Sequence, residues 1–252
     1  MRLNPHHPAW YLIELGWAYR MTGQYEEAIA AYKQALLRNP NFLTAYTQLT
    51  LCYMRQWASQ LGQDSQTLAQ ALAAAQRVIA LSDSFPPGHV ILGSVYLWQK
   101  QYEQALAELE RAIALDPNEA WGYSVLAETL SRVGRSEEAV GMVEQALRRK
   151  PLVVDGHLGS IGAAYYLAGR PAEAIPPLQR SLARYPNILG AHLTLAAVYS
   201  ELGKEAEARA EAAEVLRLNP QFSLEVHKQR VPIKDLAVLE RHLTALRKAG
   251  LK

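Results

Sequence analysis

Residues 10–40, WYLIELGWAYRMTGQYEEAIAAYKQALLRNP, decide the fold. Numbering a unit from Ala9 puts Leu15, Gly16, Tyr19, Gly23 and Tyr25 at positions 7, 8, 11, 15 and 17, and Ala28, Tyr32, Ala35 and Pro40 at positions 20, 24, 27 and 32. Leu15 and Tyr19 lie four apart on one helical face, and Ala28, Tyr32 and Ala35 continue that spacing on a second helix. Gly23 falls where the chain must turn, and Pro40 stops the second helix. Gly16 and Ala28 carry almost no side chain, so the two helices can approach closely where they cross.

The pattern recurs in units at 9–42, 43–85, 86–119, 120–153, 155–188 and 189–222. Position 7 holds Leu15, Leu49, Leu92, Leu126, Ile161 and Leu195; position 11 holds Tyr19, Tyr53, Tyr96, Leu130, Tyr165 and Tyr199. Position 20 is alanine throughout: Ala28, Ala71, Ala105, Ala139, Ala174 and Ala208. A 34-residue unit with this order of residues resembles the tetratricopeptide repeat, a pair of antiparallel helices. The resemblance implies an all-α, right-handed α-solenoid over 9–222, with 223–252 as a linker and basic amphipathic capping helix.

Composition agrees with a folded helical chain. Half of the 252 residues are hydrophobic and a fifth are charged. The formal net charge of +2 is too small to argue for nucleic acid. The single cysteine, Cys52, excludes an internal disulfide framework and fits a reducing compartment. Met1-Arg2-Leu3-Asn4-Pro5 contains no apolar run of a signal peptide, and no stretch approaches the ~18 consecutive apolar residues of a membrane span. A cytoplasmic, bacterial chain is the expectation.

Four places depart from the register. Arg2-Leu3-Asn4-Pro5 repeats the residue types of Arg217-Leu218-Asn219-Pro220, so residues 1–8 read as the tail of a preceding repeat and the chain as a fragment of a longer polypeptide; a natural start with a degenerate cap is the alternative. The second unit carries nine extra residues around Arg55–Asp64, including Trp57, with Gly62 as helix stop and Asp64 or Ser65 as cap. Pro176 sits too deep in its helix, which predicts a kink or a late start in the fifth unit. In the last segment Leu236, Leu239, Leu243 and Leu246 form one stripe, backed by Lys228, Arg230, Lys234, Arg241, Arg247, Lys248 and Lys252 against three carboxylates. The stripe covers the exposed end of the solenoid, and the cations read as a solvated face.

No catalytic constellation appears, and no cofactor or metal is expected. Cys52 falls mid-helix without an activating cation, and the seven histidines form no metal-ligand spacing. His89 and His192, both at position 4, read as partly buried packing residues. What remains is a surface. Resemblance to the family places positions 2, 5, 6, 9, 12 and 13 of the first helices on a concave groove. The candidate partner-binding residues there are Trp10, Ile13, Trp17, Thr47, Gln48, Leu51, Val90, Ser94, Trp98, Trp121 and Glu128. Four of the five tryptophans fall on groove positions, where a flat apolar body awaits burial by a partner. The alternative is that the indoles pack against neighbouring helices of the solenoid. Where some members clamp a terminal carboxylate with lysines and asparagines, this chain has Ile13, Trp17, Thr47 and Leu51, so the expected ligand is an apolar peptide strand or helix.

Leu3–Tyr11 and the ending from Asp235 to Leu251 further resemble the repeat region that trails bacterial class III adenylate/guanylate cyclases, although no cyclase residues occur here. Three functions are therefore open: a non-catalytic protein-interaction scaffold, a regulatory arm acting on a nucleotide cyclase in cis, and a basic last helix that binds an anionic membrane or nucleic acid. The expected partner is a protein or peptide, with self-association through exposed solenoid ends as a further contact.

Overall fold

The computed structural model describes residues 8–61, 66–149 and 157–252. The described residues form α-helices joined by short turns. The first twelve come in six pairs: α1 (Ala9–Met21) with α2 (Tyr25–Arg38), α3 (Leu43–Ala58) with α4 (Gln66–Leu81), and α5 (Pro86–Trp98) with α6 (Tyr102–Leu115). Next come α7 (Ala120–Arg132) with α8 (Ser136–Arg149), α9 (Leu158–Leu167) with α10 (Pro171–Arg184), and α11 (Leu189–Glu201) with α12 (Glu205–Leu218). Two further helices, α13 (Leu224–Arg230) and α14 (Leu236–Lys248), follow.

Small residues set the closeness within each pair. A Cβ on Gly16 would lie 2.5 Å from the Tyr32 ring, and one on Gly162 would lie 2.4 Å from Leu178 Cγ. Each pair turns through a residue in the left-handed region: Gly23, Gly134, Gly169 and Gly203, but Gln60 and Lys100 in the second and third pairs. The turns share one bonding pattern. Gly23 N–H donates to Arg20 O and Gln24 N–H to Tyr19 O, and Lys100 N–H to Leu97 O and Gln101 N–H to Tyr96 O match them. This is the helix-stop geometry that glycine adopts without strain and other residues at a cost.

The pairs stack in sequence. Successive first helices pack on one another, α1 on α3, α3 on α5, α5 on α7, α7 on α9 and α9 on α11, which makes them the inner layer. The second helices form the outer layer, and their amphipathic pattern buries Ala28, Tyr32 and Ala35 in α2 and Ala105, Leu109 and Ala112 in α6. The middle inner helices, α5 and α7, are buried nearly all round; in α7 only Trp121 and Glu128 are not fully buried. That explains their lack of a polar face.

The array winds back until its ends meet. Asn187 Nδ2, just before α11, donates to Thr22 O at 3.3 Å, and Arg217 Nη2 donates to Asn187 Oδ1 at 3.2 Å. The buried Asn219 closes the same seam by donating Nδ2 to Ser59 O at 2.9 Å.

Two expectations need correction here. α10 neither starts late nor breaks: it is helical from Pro171 through Pro176 and Pro177 to Arg184. The carbonyls that the two rings leave without helical donors belong to Ala172 and Glu173, both exposed, so water satisfies them. Replacing both prolines with alanine is expected to raise stability by about 2 kcal/mol or more, read from urea unfolding; a loss would show that the rings supply packing. In the second pair, the helix stop is Gln60 rather than Gly62, which lies outside the described residues together with Asp64 and Ser65. α3 and α4 are each 16 residues long, against 13 and 14 in the first pair, so part of the insertion extends both helices. The expected repeat tail at residues 1–7 also lies outside the described residues.

Candidate partner-binding surface

The inner layer could offer a groove only where no other part of the chain covers it. Residues 219–252 cover its edge from α3 to α11. They run as a strap along the carboxyl-terminal ends of successive first helices. Gln60 Nε2 donates to Ser223 O, and Ser223 N–H donates back to Gln60 Oε1, both at 2.9 Å. Arg230 Nη1 donates to Trp57 O at 2.9 Å, and its guanidinium lies 4.1 Å from the Trp57 ring centroid. Lys100 Nζ donates to Gln229 O at 2.9 Å. Lys234 N–H donates to Arg132 O at 2.8 Å, while its ammonium pairs with Glu103 at 3.2 Å. Arg241 Nη2 donates to Tyr166 O at 2.9 Å and Leu167 O at 3.1 Å, and α14 packs along α11.

The chemistry of this rim follows from helix ends. The last carbonyls of a helix lack intrahelical donors and carry the negative end of its dipole. The ends of α3, α7 and α9 therefore form a row of acceptors, and the strap brings Arg230, the Lys234 amide and Arg241 to it. An apolar side backs these bonds: Leu239, Leu243 and Leu246 are buried, as are Val231, Ile233 and Leu251. Leu236 is a correction to the expected stripe. It is 74% exposed, one residue after Asp235, which caps α14 by accepting from Ala237 and Val238 N–H.

A buried relay ties the strap's two helices together and to the inner layer. His227 and His242 are both buried, with Nε2 to Nε2 at 3.0 Å. His242 Nδ1 lies 3.3 Å from the Tyr166 hydroxyl, which donates to Glu201 Oε1 at 3.0 Å. Because the single hydroxyl proton goes to Glu201, His242 must donate through Nδ1, so its Nε2 accepts from His227 Nε2–H. Both rings are then neutral. Burial pushes His227 down to about 3, helped by Arg132, and pushes His242 well below its ordinary value, helped by His227, Arg132 and Arg241.

The sequence-designated residues separate into two groups. Trp10 and Trp17 on α1 stay open, 63% and 41% exposed. The rest of the expected open groove is corrected. Ile13, Thr47, Val90 and Ser94 are buried rather than open to a groove. Val90, for example, packs against Gly122 of α7, and Ser94 Oγ bonds Val90 O at 2.8 Å. Gln48 and Leu51 are half-buried on α3. Trp98 lies half-buried under the Arg132 guanidinium, 5.7 Å from its ring centroid, and Arg132 in turn pairs with Glu128 at 2.7 Å. Trp121 stacks on His157 at 5.6 Å and 11°. Burial lowers His157 to about 4 against the pull of Glu119. The middle indoles thus follow the alternative reading and pack within the chain.

Three other residues singled out in the sequence are buried. His89 and His192 are buried and bridge alike, Nδ1 to Glu108 or Glu211 and Nε2 to Asp83 O or Pro186 O, at 2.6–2.8 Å. Cys52 is buried, and burial pushes its thiol up to about 12, so it carries no thiolate at neutral pH. Among the described residues no cluster of three or more His, Cys, Asp or Glu could hold a metal, and no helix is long and apolar enough to cross a membrane.

Family models described as tetratricopeptide repeat match residues 9–42, 88–151, 125–188 and 165–228. The chain is a tetratricopeptide repeat protein. The tetratricopeptide array is similar to Hsp70-Hsp90 organizing protein 3 of Arabidopsis thaliana, at 32% identity over 80 residues, which are 32% of this chain and 13% of that relative. A chain in the crystal structure of the APC/C hetero-tetramer Cut9-Hcn1 superposes with a TM-score of 0.60 at 16% identity, over 96% of this chain and 43% of that one. A tetratricopeptide repeat protein from Parabacteroides merdae superposes with a TM-score of 0.55 at 16% identity, over 92% of this chain and 87% of that one. At such identities these structures share the fold alone.

Against the tetratricopeptide frame, the residues missed by sequence reading are those that hold the strap. Gln60 and Lys100 had a visible signal, because a side chain stands where four other pairs place glycine. Arg230, Lys234 and Arg241 had none, since nothing local distinguishes a cation bound to a distant carbonyl from a solvated one.

Proposed function

We propose that this tetratricopeptide protein is a non-catalytic scaffold that takes an apolar peptide strand or helix of a partner protein against Trp10 and Trp17. The exposure of these two indoles supports the reading. They lie seven residues apart on one side of α1, about 10 Å along the helix. Trp57 and Trp98 are each covered by an arginine, and Trp121 is stacked on His157. Exposed indoles in such a pair are the side chains that dominate binding energy once a partner desolvates them. The relative's name points to chaperones, but Ile13, Trp17, Thr47 and Leu51 offer no cation to a terminal carboxylate. An apolar ligand is therefore the better match.

The test begins with peptides selected from a display library on the full chain, then titrated against variants. Trp17→Ala is expected to weaken the best peptide by about 30-fold, which corresponds to a hot spot of ~2 kcal/mol. Trp10→Ala should weaken it in the same direction. Because the contact is apolar, affinity should change little as salt rises. Unchanged binding by both variants, or a steep loss with salt, would sink the proposal.

The membrane or nucleic-acid reading loses support from the strap itself. Lys228 and Lys234 pair with Glu240 and Glu103, and Arg230 and Arg241 are bound to the rim. The cyclase-arm reading rests on its sequence resemblance alone.

A further inference from the structure

We propose that the seam where the ends of the array meet is a binding site for a small phosphate monoester, whose dianionic head is held by Arg20 and Arg55. Each arginine stands in the last turn of a first helix, Arg20 in α1 and Arg55 in α3. With Tyr25, Tyr185 and Asn187 they line a narrow cleft of about 20 Å³ between the first two pairs and the α10–α11 turn. That is room for one water-sized atom, such as one oxygen of an anion. A wider cleft of about 250 Å³ adjoins it, sharing Tyr25 and Asn187, and is walled by Thr22, Ser59, Leu61, Leu189, Arg217 and Leu218.

Charge decides what the seam takes. Both arginines are half-buried, and among the described residues neither has an ion-pair partner. Arg20 Nε is buried and makes no hydrogen bond, although the Tyr32 hydroxyl lies beside the same guanidinium. No carboxylate lines either cleft. Burial raises the Tyr25 hydroxyl and the Cys52 thiol, and both arginines pull each of them back, so the two cations gather around one spot. A helix end accounts for a cation in its last turn, but not for two that share a cleft without a counter-charge. Half-buried like charges repel until an anion sits between them. A phosphate head carries about −1.5 to −2 charges and balances the pair, whereas a carboxylate supplies only one. The planar fork of arginine also bonds phosphate oxygens two at a time.

The wider cleft sets the size of the rest. Its volume of about 250 Å³ falls below the ~300–1,000 Å³ of sites for drug-sized ligands, so the body attached to the phosphate is short. A ligand seated there ties α1 and α3 to the α10–α11 turn. It thereby reinforces the Asn187–Thr22 and Asn219–Ser59 bonds that close the seam.

The experiment titrates glycerol 1-phosphate into the full chain by isothermal calorimetry, at constant ionic strength set with sodium chloride, and follows the melting temperature alongside. Binding is expected with a rise in melting temperature, because a ligand of the folded state alone stabilises it. Arg20→Gln and Arg55→Gln should each weaken binding at least ten-fold while circular dichroism retains wild-type helicity. Arg209→Gln, at an exposed position of α12, should leave it unchanged. Succinate, a dianion without phosphate, should bind at least ten-fold more weakly. No binding by the wild-type chain, or undiminished binding by the Arg20 and Arg55 variants, would overturn the proposal. Equal binding of succinate would remove the phosphate from it, and tighter binding of a phosphoserine peptide would remove the small molecule.

Discussion

Acidification from pH 7.5 to 5 is expected to destabilise the chain, by about 2 kcal/mol through His227, with His242 and His157 adding in the same direction. Both His227 and His242 have folded values pushed below the ordinary 6.5, in each case first by burial. Their stabilisation is therefore complete above 6.5, and it is lost as the pH falls from there toward the folded value of about 3 for His227. The geometry states the same cost in another way. A second proton between the two rings would place two donors nose to nose at 3.0 Å, with Arg132 and Arg241 nearby, each already paired with a carboxylate, Glu128 and Glu201. His192 runs in the opposite sense. Burial opposes its charge, but Glu211 and the Pro186 carbonyl outweigh that and raise it, so its contribution is present at low pH and fades as pH rises through its folded value. Thermal melts at both pH values check the sum. The double variant His227→Phe and His242→Leu should show a much flatter dependence between pH 6.5 and 5; an equal slope would remove the pair as its cause.

Gly162→Ala, the tightest glycine among the described residues, is expected to cost about 2–3 kcal/mol. The new Cβ would sit 2.4 Å from Leu178 Cγ, and Leu178 is fully buried at the crossing of α9 and α10. No rotamer of a buried leucine in a packed core clears that gap, so the two helices must separate. Gly190 and Gly141 provide the control. Both lie in helices with nothing within 4 Å of the added atom, so alanine there should be neutral or stabilise by up to ~1 kcal/mol. Urea unfolding of the three variants separates the cases. Equal small effects would mean that α9 and α10 can part without loss.

The pairing of helices was legible because a repeat states its packing locally. Leu15, Tyr19, Ala28 and Tyr32 are near neighbours in the chain, and each copy confirms the others. The candidate site was legible only at α1. Helical spacing assigns a residue to a face, but it does not say whether that face is open to solvent or buried; Val90 and Thr47 were misplaced for that reason. Pro176 was read from the local rule alone, whereas the exposure of Ala172 and Glu173 decides its cost. The strap was the least legible part. Its leucines do meet α11 as a capping helix would, but its path past α9, α7, α5 and α3 depends on the array's curvature bringing residue 219 beside residue 59. Curvature accumulates over all the repeats and is written in none of them.

Hydrogen exchange of the backbone amides of residues 239–246 in the full chain at pH 7.5 tests the closed rim most directly. If the strap is seated as described, these amides exchange as slowly as those of the inner helix α5. Exchange at the rate of an unstructured peptide, while α5 stays protected, would mean that the rim stands open and that the middle of the groove is free for a partner after all.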